Sequence, residues 1–156
     1  MAIDNSVGIL LIQENKKARF DFEILRTFEA GLVLTGSEVK SVRDKSVQLK
    51  DSYVVLMNGE AYLQNAHIAP YKAGSYNNHE PERRRKLLLN AKEIEEIDAA
   101  LTEKGHACVA LKIYFKKGRA KVEIAIARGK KKGDKRESIK KRDVEAQLRQ
   151  VKRLNR

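Results

Sequence analysis

Two stretches of alternating apolar and polar residues, each containing a turn signal, constrain the fold of this 156-residue chain more than any other feature. In the first, Asn58-Gly59 separates residues 53–57 from residues 60–68. Asn-Gly readily adopts the positive φ angles of a type I′ turn, so the pattern predicts a β-hairpin. The second, "CVALKIYFKKGRAKVEIAIAR", alternates on both sides of Lys117-Gly118 and predicts another hairpin. The chain is therefore expected to be rich in antiparallel strands.

Two further strands are predicted before the first helix. "ARFDFEIL" (18–25) alternates aromatic and apolar residues with charged ones, which is typical of a half-buried strand. After a break near Arg26-Thr27, "FEAGLVLTG" (28–36) indicates a second strand that is interrupted by Gly31. Both would add to the same sheet as the hairpins.

Two helices are predicted from capping signals. Thr35 and Glu38 have the spacing of a capping box, and two valines one turn apart follow them, so a short helix is expected. Asn90 and Glu93 repeat that spacing, and a regular apolar stripe continues from there until Gly105 can end the helix.

These elements amount to about six strands and two helices, a mainly β or β-rich α+β composition. Short strands with long interruptions are typical of small closed or partly open barrels. We therefore expect residues 1–127 to form an OB-like six-stranded β-barrel with flanking helices.

Residues 128–156 differ from the rest of the chain. They hold 13 lysines and arginines against 4 acidic residues and no aromatic residue, whereas residues 1–127 have 20 basic and 17 acidic residues. Such a cationic block attracts a polyanion, nucleic acid first and an anionic membrane second. The alternative is a solvated tail that only aids solubility.

The tail carries a thin apolar stripe at Val144, Leu148 and Val151. Helices of this length are marginal alone in water and need a partner surface. We therefore expect the tail to be disordered when free and helical on its target.

Local motifs for other chemistry are weak. Ser37–Lys40 matches the S-x-x-K pattern of serine acyl enzymes but lacks the partner motifs of those enzymes. His67, His79 and His106 lack the spacing of zinc ligands, and the single Cys108 cannot form an internal disulfide. A pair of histidines acting as acid and base on RNA remains an alternative. We expect no metal site and no cofactor, and a soluble protein without a signal peptide or membrane span.

One loop has the composition of an RNA-reading segment. Residues 70–81 supply two tyrosines, two asparagines and a histidine, and "ERRRK" (82–86) follows directly. Irregular RNA is recognised by stacking on aromatic or guanidinium planes and by hydrogen bonds to exposed base edges. The basic tip of the second hairpin, at Lys117-Gly118, could bind phosphates. The alternatives are an ordinary polar loop and a hairpin edge that is merely kept charged.

Several stretches together resemble one known family, namely "NKKARFDF", "EAGLVLTGSEVKSVR", "DSYVVLMNGEAYLQNAHIAPY", "NNHEPERRRKLLLN", "YFKKGRAKVEIAIARGKK" and "DKRESIKKRD". Their order and spacing are similar to those of the small protein B family, the bacterial SsrA-binding proteins that partner transfer-messenger RNA. The resemblance covers nearly the whole chain from about Asn15 onward.

The resemblance implies an OB-like barrel with a C-terminal tail that is unstructured in solution. It implies binding to the tRNA-like part of transfer-messenger RNA and entry with it into stalled ribosomes, where the incomplete peptide is tagged. It implies no covalent step catalysed by the protein itself. The same resemblance implies a cytoplasmic, bacterial protein, and we expect a monomer without a membrane partner.

By matching position, the resemblance implies that these residues face RNA: Asn15, Lys16, Glu29, Glu38, Lys40, Ser41, Asn78, His79, Arg83, Arg85, Lys86, Leu88 and Lys121. The carboxylates of Glu29 and Glu38 could accept hydrogen bonds from base amino or imino groups, or could orient a neighbouring cation. Leu88 would supply an apolar contact, and the cations would anchor phosphates.

The resemblance further associates the start of the tail with the ribosome, through Gly129, Lys130, Lys131, Asp134, Lys135 and Arg136. Physically, a cationic tail suits the empty messenger channel near the decoding region of the small subunit, whose walls are rich in phosphate. Two alternatives come from other functional classes: a structural ribosomal protein with a basic extension, and a small RNA-processing enzyme.

Overall fold

The computed structural model describes residues 3–4, 8–71 and 78–130, which hold ten β-strands and three α-helices. The strands are β1 (Ile3–Asp4), β2 (Ile9–Glu14), β3 (Phe22–Leu32), β4 (Val47–Gln48), β5 (Tyr53–Met57), β6 (Glu60–Gln64), β7 (His67–Ile68), β8 (Arg85–Leu88), β9 (His106–Lys116) and β10 (Arg119–Gly129). The helices are α1 (Lys16–Asp21), α2 (Gly36–Arg43) and α3 (Ala91–Leu101).

Six of these strands close into a barrel, which confirms the predicted architecture. Their order around the ring is β9, β10, β3, β8, β6 and β5, and the pair Tyr53 and Val109 joins β5 back to β9. All the pairings are antiparallel. Strands β2 and β1 extend the sheet from β9 outside the ring, and β4 pairs with β7 in a small separate sheet.

Both predicted hairpins are confirmed, because their turns adopt the positive φ angles that the sequence favours. Asn58 and Gly59 have φ angles of 52° and 76° and join β5 to β6, with Met57 opposite Glu60. Lys117 and Gly118 have φ angles of 51° and 79° and join β9 to β10. A type I′ turn requires positive φ at both central residues, and its twist matches that of the flanking strands.

The predicted capping boxes of the two helices are also confirmed. Thr35 is the N-cap of α2 and Asn90 is the N-cap of α3, and the side chain of the glutamate three residues on accepts from the backbone N–H of each cap. Ile97 of α3 is fully buried against the barrel, as its place in the apolar stripe predicts.

The prediction of a strand over residues 18–25 is confirmed for residues 22–25, which begin β3, and is wrong for residues 18–21. Residues 16–21 form α1, because the side chain of Asn15 accepts a hydrogen bond from the Ala18 N–H (3.1 Å) and caps a helical turn there. The expected break near Arg26-Thr27 is absent, since β3 runs through it. A bulge takes its place: Leu25 lies between residues paired with Ala127 and Ile126 and has no partner of its own.

The sixth strand of the barrel is β8, which the sequence patterns did not predict as a strand. It carries two basic residues followed by two leucines and lies between β3 and β6. The number of barrel strands is therefore as predicted, although one predicted pair merged into β3 and β8 completed the ring.

Apolar residues are buried on both faces of the sheet. The main core fills the barrel interior. A second cluster lies on the outer face, where Ala18 of α1 packs with Phe22, Val109 and Ala125. Helix α1 therefore covers one end of the outer face of these strands.

The last barrel strand continues slightly beyond the predicted domain boundary at residue 127. It ends at Gly129, and the backbone N–H of Lys130 donates to the carbonyl of Asp21 (2.9 Å). The predicted tail helix around Leu148 lies outside the described residues, so the division at residue 127 stays a prediction.

Candidate nucleic-acid interface

A buried carboxylate, Glu38, joins three parts of the structure. It lies in the first turn of α2, and its side chain is fully buried. Its Oε1 accepts hydrogen bonds from the Thr35 N–H (2.9 Å) and from Arg83 Nη2 (2.6 Å), and its Oε2 accepts one from Arg85 Nε (2.5 Å). Glu38 therefore acts by orienting neighbouring cations, the second of the two roles considered for it, and is not exposed to a base.

Arg85 is the buried partner of Glu38. Its side chain has no exposed surface, its Nη1 donates to the Ala66 carbonyl (2.7 Å), and its Nη2 donates to the carbonyls of Pro81 (3.0 Å) and Glu80 (3.3 Å). The prediction that Arg85 anchors a phosphate is therefore not supported by its position. Its guanidinium instead ties β8 and two loop segments to α2.

The protonation of Glu38 reflects both its burial and its partners. Burial alone would raise its pKa, but hydrogen bonds from Arg83, the Thr35 backbone and Arg85 outweigh this and hold its pKa at about 2. Burial also lowers the pKa of Arg85, against the opposing effect of Glu38. The pair is thus ionised at neutral pH, and its charges are compensated inside the protein.

Arg83 connects this buried pair to the surface. Its side chain is 36% exposed, and while Nη2 binds Glu38 the Nε is buried without a hydrogen-bond partner among the described residues. A guanidinium held at one edge by a carboxylate is fixed in direction. Arg83 is therefore held in one direction while about a third of its side chain stays exposed.

Asn15 and Ser41 are buried, which separates them from the exposed candidates. Besides capping α1, the Asn15 amide donates to the carbonyls of Leu49 (3.1 Å) and Ala110 (2.9 Å). The Ser41 hydroxyl is buried and has no hydrogen-bond partner in the described part of the chain. Their positions do not support the prediction that these two residues face RNA, whereas the adjacent Lys16 is exposed.

The loop candidates Asn78 and His79 are held by specific hydrogen bonds. The amide of Asn78 pairs with both the N–H (3.1 Å) and the carbonyl (2.9 Å) of Tyr71 and so joins the two described segments at these residues. His79 Nε2 lies 2.8 Å from the Ile68 carbonyl, and its Nδ1 lies 2.8 Å from the Ser37 hydroxyl. Both ring nitrogens of His79 are thus used to join the loop to β7 and α2.

Lys40 lies on the exposed side of α2. Its ammonium group is 5.4 Å from the ring centroid of Tyr71, a cation–π contact. Both groups can contact a nucleic acid, the ring by stacking and the ammonium by pairing with phosphate.

The open end of the outer barrel face brings three other candidates together. Gly31 of β3 is paired with Leu88 of β8 on one side and with Lys121 of β10 on the other, and Glu29 lies two residues along β3. Residues directly opposite across a ladder, and their diagonal neighbours, share one face of a sheet. Leu88 is 56% exposed, more than any other large apolar side chain in the described residues.

Glu29 is held by a tyrosine that the sequence analysis did not single out. The hydroxyl of Tyr114 donates to Glu29 Oε2 (2.5 Å), and Lys116 Nζ lies 3.4 Å from both carboxylate oxygens. The Tyr114 hydrogen bond is the main cause that lowers the pKa of Glu29, with Lys116 and Lys121 adding to it. Tyr114 could have been suspected, since the alternation that buries Ile113 and Phe115 directs it outward.

The other side of Leu88 borders a cleft of about 1040 Å³ between β8, the β5–β6 turn and α3. Glu60, Glu95 and Asp98 line this cleft, and Lys86 Nζ is paired with Glu60 (3.0 Å). Clustered carboxylates repel phosphate. Nucleic acid is therefore favoured on the Lys121 side of Leu88, and Lys86 is partly neutralised.

The basic hairpin tip is exposed at Lys117 and Arg119. Of the candidates for ribosome contact, Gly129 ends β10 and Lys130 follows it, at the end of the barrel where α1 lies. The remaining four, Lys131, Asp134, Lys135 and Arg136, lie outside the described residues.

Other chemistry finds little support in residues 8–71 and 78–130. No group of His, Cys, Asp or Glu side chains there could hold a metal ion, and none of the described helices is long and apolar enough to cross a membrane. Cys108 is buried, which raises the pKa of its thiol to about 12 and disfavours the reactive thiolate.

Comparison with known proteins places these features in a family context. A family model described as "SmpB protein" matches residues 12–154. The chain is similar to the SsrA-binding protein of Bdellovibrio bacteriovorus, with 64% identity over 151 residues that cover 97% of this chain and 99% of that protein. It is 53% identical to the SsrA-binding protein of Syntrophobacter fumaroxidans over 146 residues, 94% of this chain and 91% of that protein.

A solved structure described as "tmRNA-SmpB: a journey to the center of the bacterial ribosome" is also similar. It is 46% identical, has a TM-score of 0.66, and the match covers 81% of this chain and 93% of that chain. Sequence and fold thus point to the same set of relatives.

Replacing Glu38 with Gln should lower the free energy of unfolding by about 3–5 kcal/mol at neutral pH, because Arg85 would stay buried without its counter-charge. The stability that Glu38 contributes is complete above its ordinary pKa of 4.5 and is lost as the pH falls towards its folded value of about 2. Urea denaturation of the wild type should therefore show a loss of unfolding free energy between pH 4.5 and about pH 2. The variant should lack this loss.

The matched control is Glu60→Gln, which removes a carboxylate from the exposed pair with Lys86. It should change the stability by less than about 1 kcal/mol. Equal losses in the two variants would contradict a special role for the buried pair.

Proposed function

This chain belongs to the SmpB family, and on that premise we propose that it is the RNA-binding adaptor of trans-translation. It binds the tRNA-like domain of transfer-messenger RNA and delivers it to stalled ribosomes, where the incomplete peptide is tagged. The structural observation that supports this proposal most directly is the end of the barrel's outer face that α1 does not cover. There an exposed leucine lies beside cations and a carboxylate held in place by Tyr114.

The protein acts as a binding surface and not as an enzyme, in keeping with the family. In this role the side chains of the protein only bind and position the RNA. The net charge of +12 favours association with a polyanion, and hydrogen-bonding and apolar groups add selectivity on top of it.

The outer face suits a folded RNA because it combines unlike contacts at short range. Lys121, Lys117 and Arg119 can neutralise phosphates, Leu88 can pack against a base or sugar, and Glu29 can accept hydrogen bonds from a base. Helix α1 closes one end of this face, and the acidic cleft beyond Leu88 closes one side. RNA is thereby restricted to the surface between them.

A second contact area is formed by α2 and the two segments that Asn78 joins. Lys40 and Tyr71 present a cation and a ring, and Arg83 presents a guanidinium edge. Glu38 and Arg85 support this area from beneath, so we assign them a positioning role and no direct RNA contact. Lys16 adds an exposed cation at the start of α1.

We assign the ribosomal role to the basic segment that follows the barrel. The residues concerned are Gly129, Lys130, Lys131, Asp134, Lys135 and Arg136. The 26 residues after Lys130 can span at most about 90 Å when extended, enough to leave the barrel and follow a channel. A channel lined by ribosomal RNA would attract their charge, and the tail would become helical there. We also propose that the protein works as a monomer in the bacterial cytoplasm and needs no cofactor.

Sequencing the RNA that crosslinks to the affinity-tagged chain in growing bacteria tests the proposal. We expect crosslinks concentrated in the tRNA-like part of transfer-messenger RNA, and substoichiometric amounts of the protein on ribosomes. Stoichiometric presence in every small subunit, with crosslinks to ribosomal RNA alone, would instead identify a structural ribosomal protein.

Deleting residues 131–156 should abolish tagging on stalled ribosomes while lowering the affinity for the tRNA-like RNA less than about tenfold. The reason is that the deletion leaves all ten described strands and the Lys130 hydrogen bond intact. Affinity is measured by titration at about 0.15 M salt, where surface charges are screened beyond about 8 Å. A large loss of RNA affinity would contradict this division of roles.

Asn15→Ala and Lys16→Ala form a matched pair of neighbouring changes. Asn15→Ala should cost about 1–3 kcal/mol of stability by leaving buried carbonyls unpaired, while the folded variant still binds RNA. Lys16→Ala should leave the stability unchanged and weaken RNA binding. Thermal unfolding and RNA titration of both variants check this, and the reverse pattern would place Asn15 in the interface.

A further inference from the structure

The row of residues around Gly31 has the features of a site for a single nucleobase. Across adjacent strands, Leu88, Gly31, Lys121 and Tyr114 lie in register, and Glu29 lies on the same face two residues from Gly31. Neighbouring strands are about 4.8 Å apart, so Leu88 and Lys121, which lie on either side of β3, are separated by roughly 10 Å, about the size of one nucleotide.

Gly31 allows Leu88 to lie over the sheet. A Cβ atom on Gly31 would come within 3.1 Å of Leu88 Cβ and 3.2 Å of its Cδ1, closer than such contacts normally are. The absence of a side chain lets Leu88 lean across β3, where more than half of its surface stays exposed. An apolar surface is thus brought next to a carboxylate and a lysine.

The carboxylate of Glu29 can accept further hydrogen bonds beyond those it already has. A carboxylate can accept about four hydrogen bonds, and Tyr114 supplies one short bond to Oε2. Lys116 is 3.4 Å away, longer than the roughly 2.7–2.9 Å of a tight charged hydrogen bond. The side chain is 39% exposed, and its lowered pKa keeps it ionised and therefore able only to accept.

A second tyrosine–glutamate pair on the barrel, Tyr62 and Glu60, differs from the pair of Tyr114 and Glu29. Glu60 accepts from Tyr62 (2.8 Å) and also from Lys86 at an ordinary 3.0 Å. Both oxygens of Glu60 thus have close partners, whereas Glu29 has one close partner and one distant lysine.

Only one common base offers two adjacent donors to such an acceptor. The Watson–Crick edge of guanine presents N1–H beside N2–H₂, whereas adenine places the acceptor N1 beside its amino group. Cytosine places the acceptor N3 there, and uracil flanks its single N3–H with two acceptors. An ionised carboxylate that accepts two hydrogen bonds therefore selects guanine, provided that the base is unpaired and its edge is exposed.

We propose that Glu29, Leu88 and Lys121 form a subsite for one unpaired guanine of the bound RNA, and that Tyr114 is its positioning residue. The Glu29 carboxylate accepts hydrogen bonds from N1–H and N2–H₂, Leu88 packs against the base, and Lys121 pairs with an adjacent phosphate. The Tyr114 hydroxyl fixes the direction of the carboxylate, which would otherwise turn towards Lys116. This inference rests on the proposed function, since it assumes that the RNA is the tRNA-like domain.

Inosine substitution tests the subsite, because inosine is guanine without the 2-amino group. Transcripts of the tRNA-like domain, each with one unpaired guanosine replaced by inosine, are titrated with the full-length protein. Inosine at one of these positions should weaken binding to the wild-type protein about tenfold. The penalty at that position should vanish in Glu29→Gln and shrink in Tyr114→Phe, because both changes impair the acceptor.

Tyr62→Phe is the matched control, since it removes the same hydroxyl from the other tyrosine–glutamate pair. It should keep the full inosine penalty. Lys121→Ala should also keep the penalty, but should reduce the slope of log affinity against log salt by roughly 0.7–0.9 through its lost phosphate contact. Thermal unfolding confirms that each variant is folded.

The possible failures are distinguishable. If the wild type does not bind the unsubstituted tRNA-like RNA, the proposed function itself fails. If it binds tightly but no inosine position matters, or if the penalty persists in Glu29→Gln, the guanine subsite is wrong. A Tyr62→Phe effect equal to that of Tyr114→Phe would overturn the positioning role of Tyr114.

Discussion

The buried ion pair between Glu38 and Arg85 is the interaction on which the arrangement around it depends. Removing two charges from water costs several kcal/mol for each ion, and their attraction offsets this only when the remaining hydrogen-bonding groups are also satisfied. The Thr35 N–H, Arg83 and three backbone carbonyls provide that satisfaction. Because those groups belong to a helix cap, a barrel strand and two loop segments, the pair is stable only when all of them are in place. It thereby holds α2 and the loop beside it in one arrangement and directs Arg83 towards the surface.

In the proposed function, the division of the outer barrel face determines where RNA binds. One end is covered by α1, which buries apolar residues such as Val109 and Ala125 beneath Ala18. At the end that α1 does not cover, β8 presents Leu88 and β10 presents Lys121. Carboxylates in the cleft beside α3 oppose RNA on the far side of Leu88. A protein with a strongly cationic sequence thus offers RNA a restricted surface, whose shape comes from what covers the rest of the sheet.

Elements set by local chemistry were predictable, and those set by distant partners were not. The turns at Asn58-Gly59 and Lys117-Gly118 and the capping boxes depend on residues a few positions apart, so the sequence contains their cause. Helix α1 is held by Asn15, whose amide bonds to carbonyls of residues 49 and 110. Strand β8 is short and basic and gains its place from β3 and β6 on either side. No local pattern reveals either partner, and the alternation in residues 18–25 suggested that the strand begins at residue 18, where a helix forms up to residue 21.

The neighbouring basic residues 83–86 also depend on distant partners that the sequence does not reveal. The sequence by itself determined that this stretch is cationic, that the chain has the order of motifs of its family, and that Thr35 and Glu38 form the capping box of α2. Only the tertiary structure decided that Arg85 is buried against Glu38, that Arg83 reaches the surface, and that Lys86 pairs with Glu60. It also brought Tyr114 to Glu29 across an intervening strand. The physical reason is that residue type and local period fix which side chains alternate between faces, whereas burial depends on what the rest of the chain packs against each face.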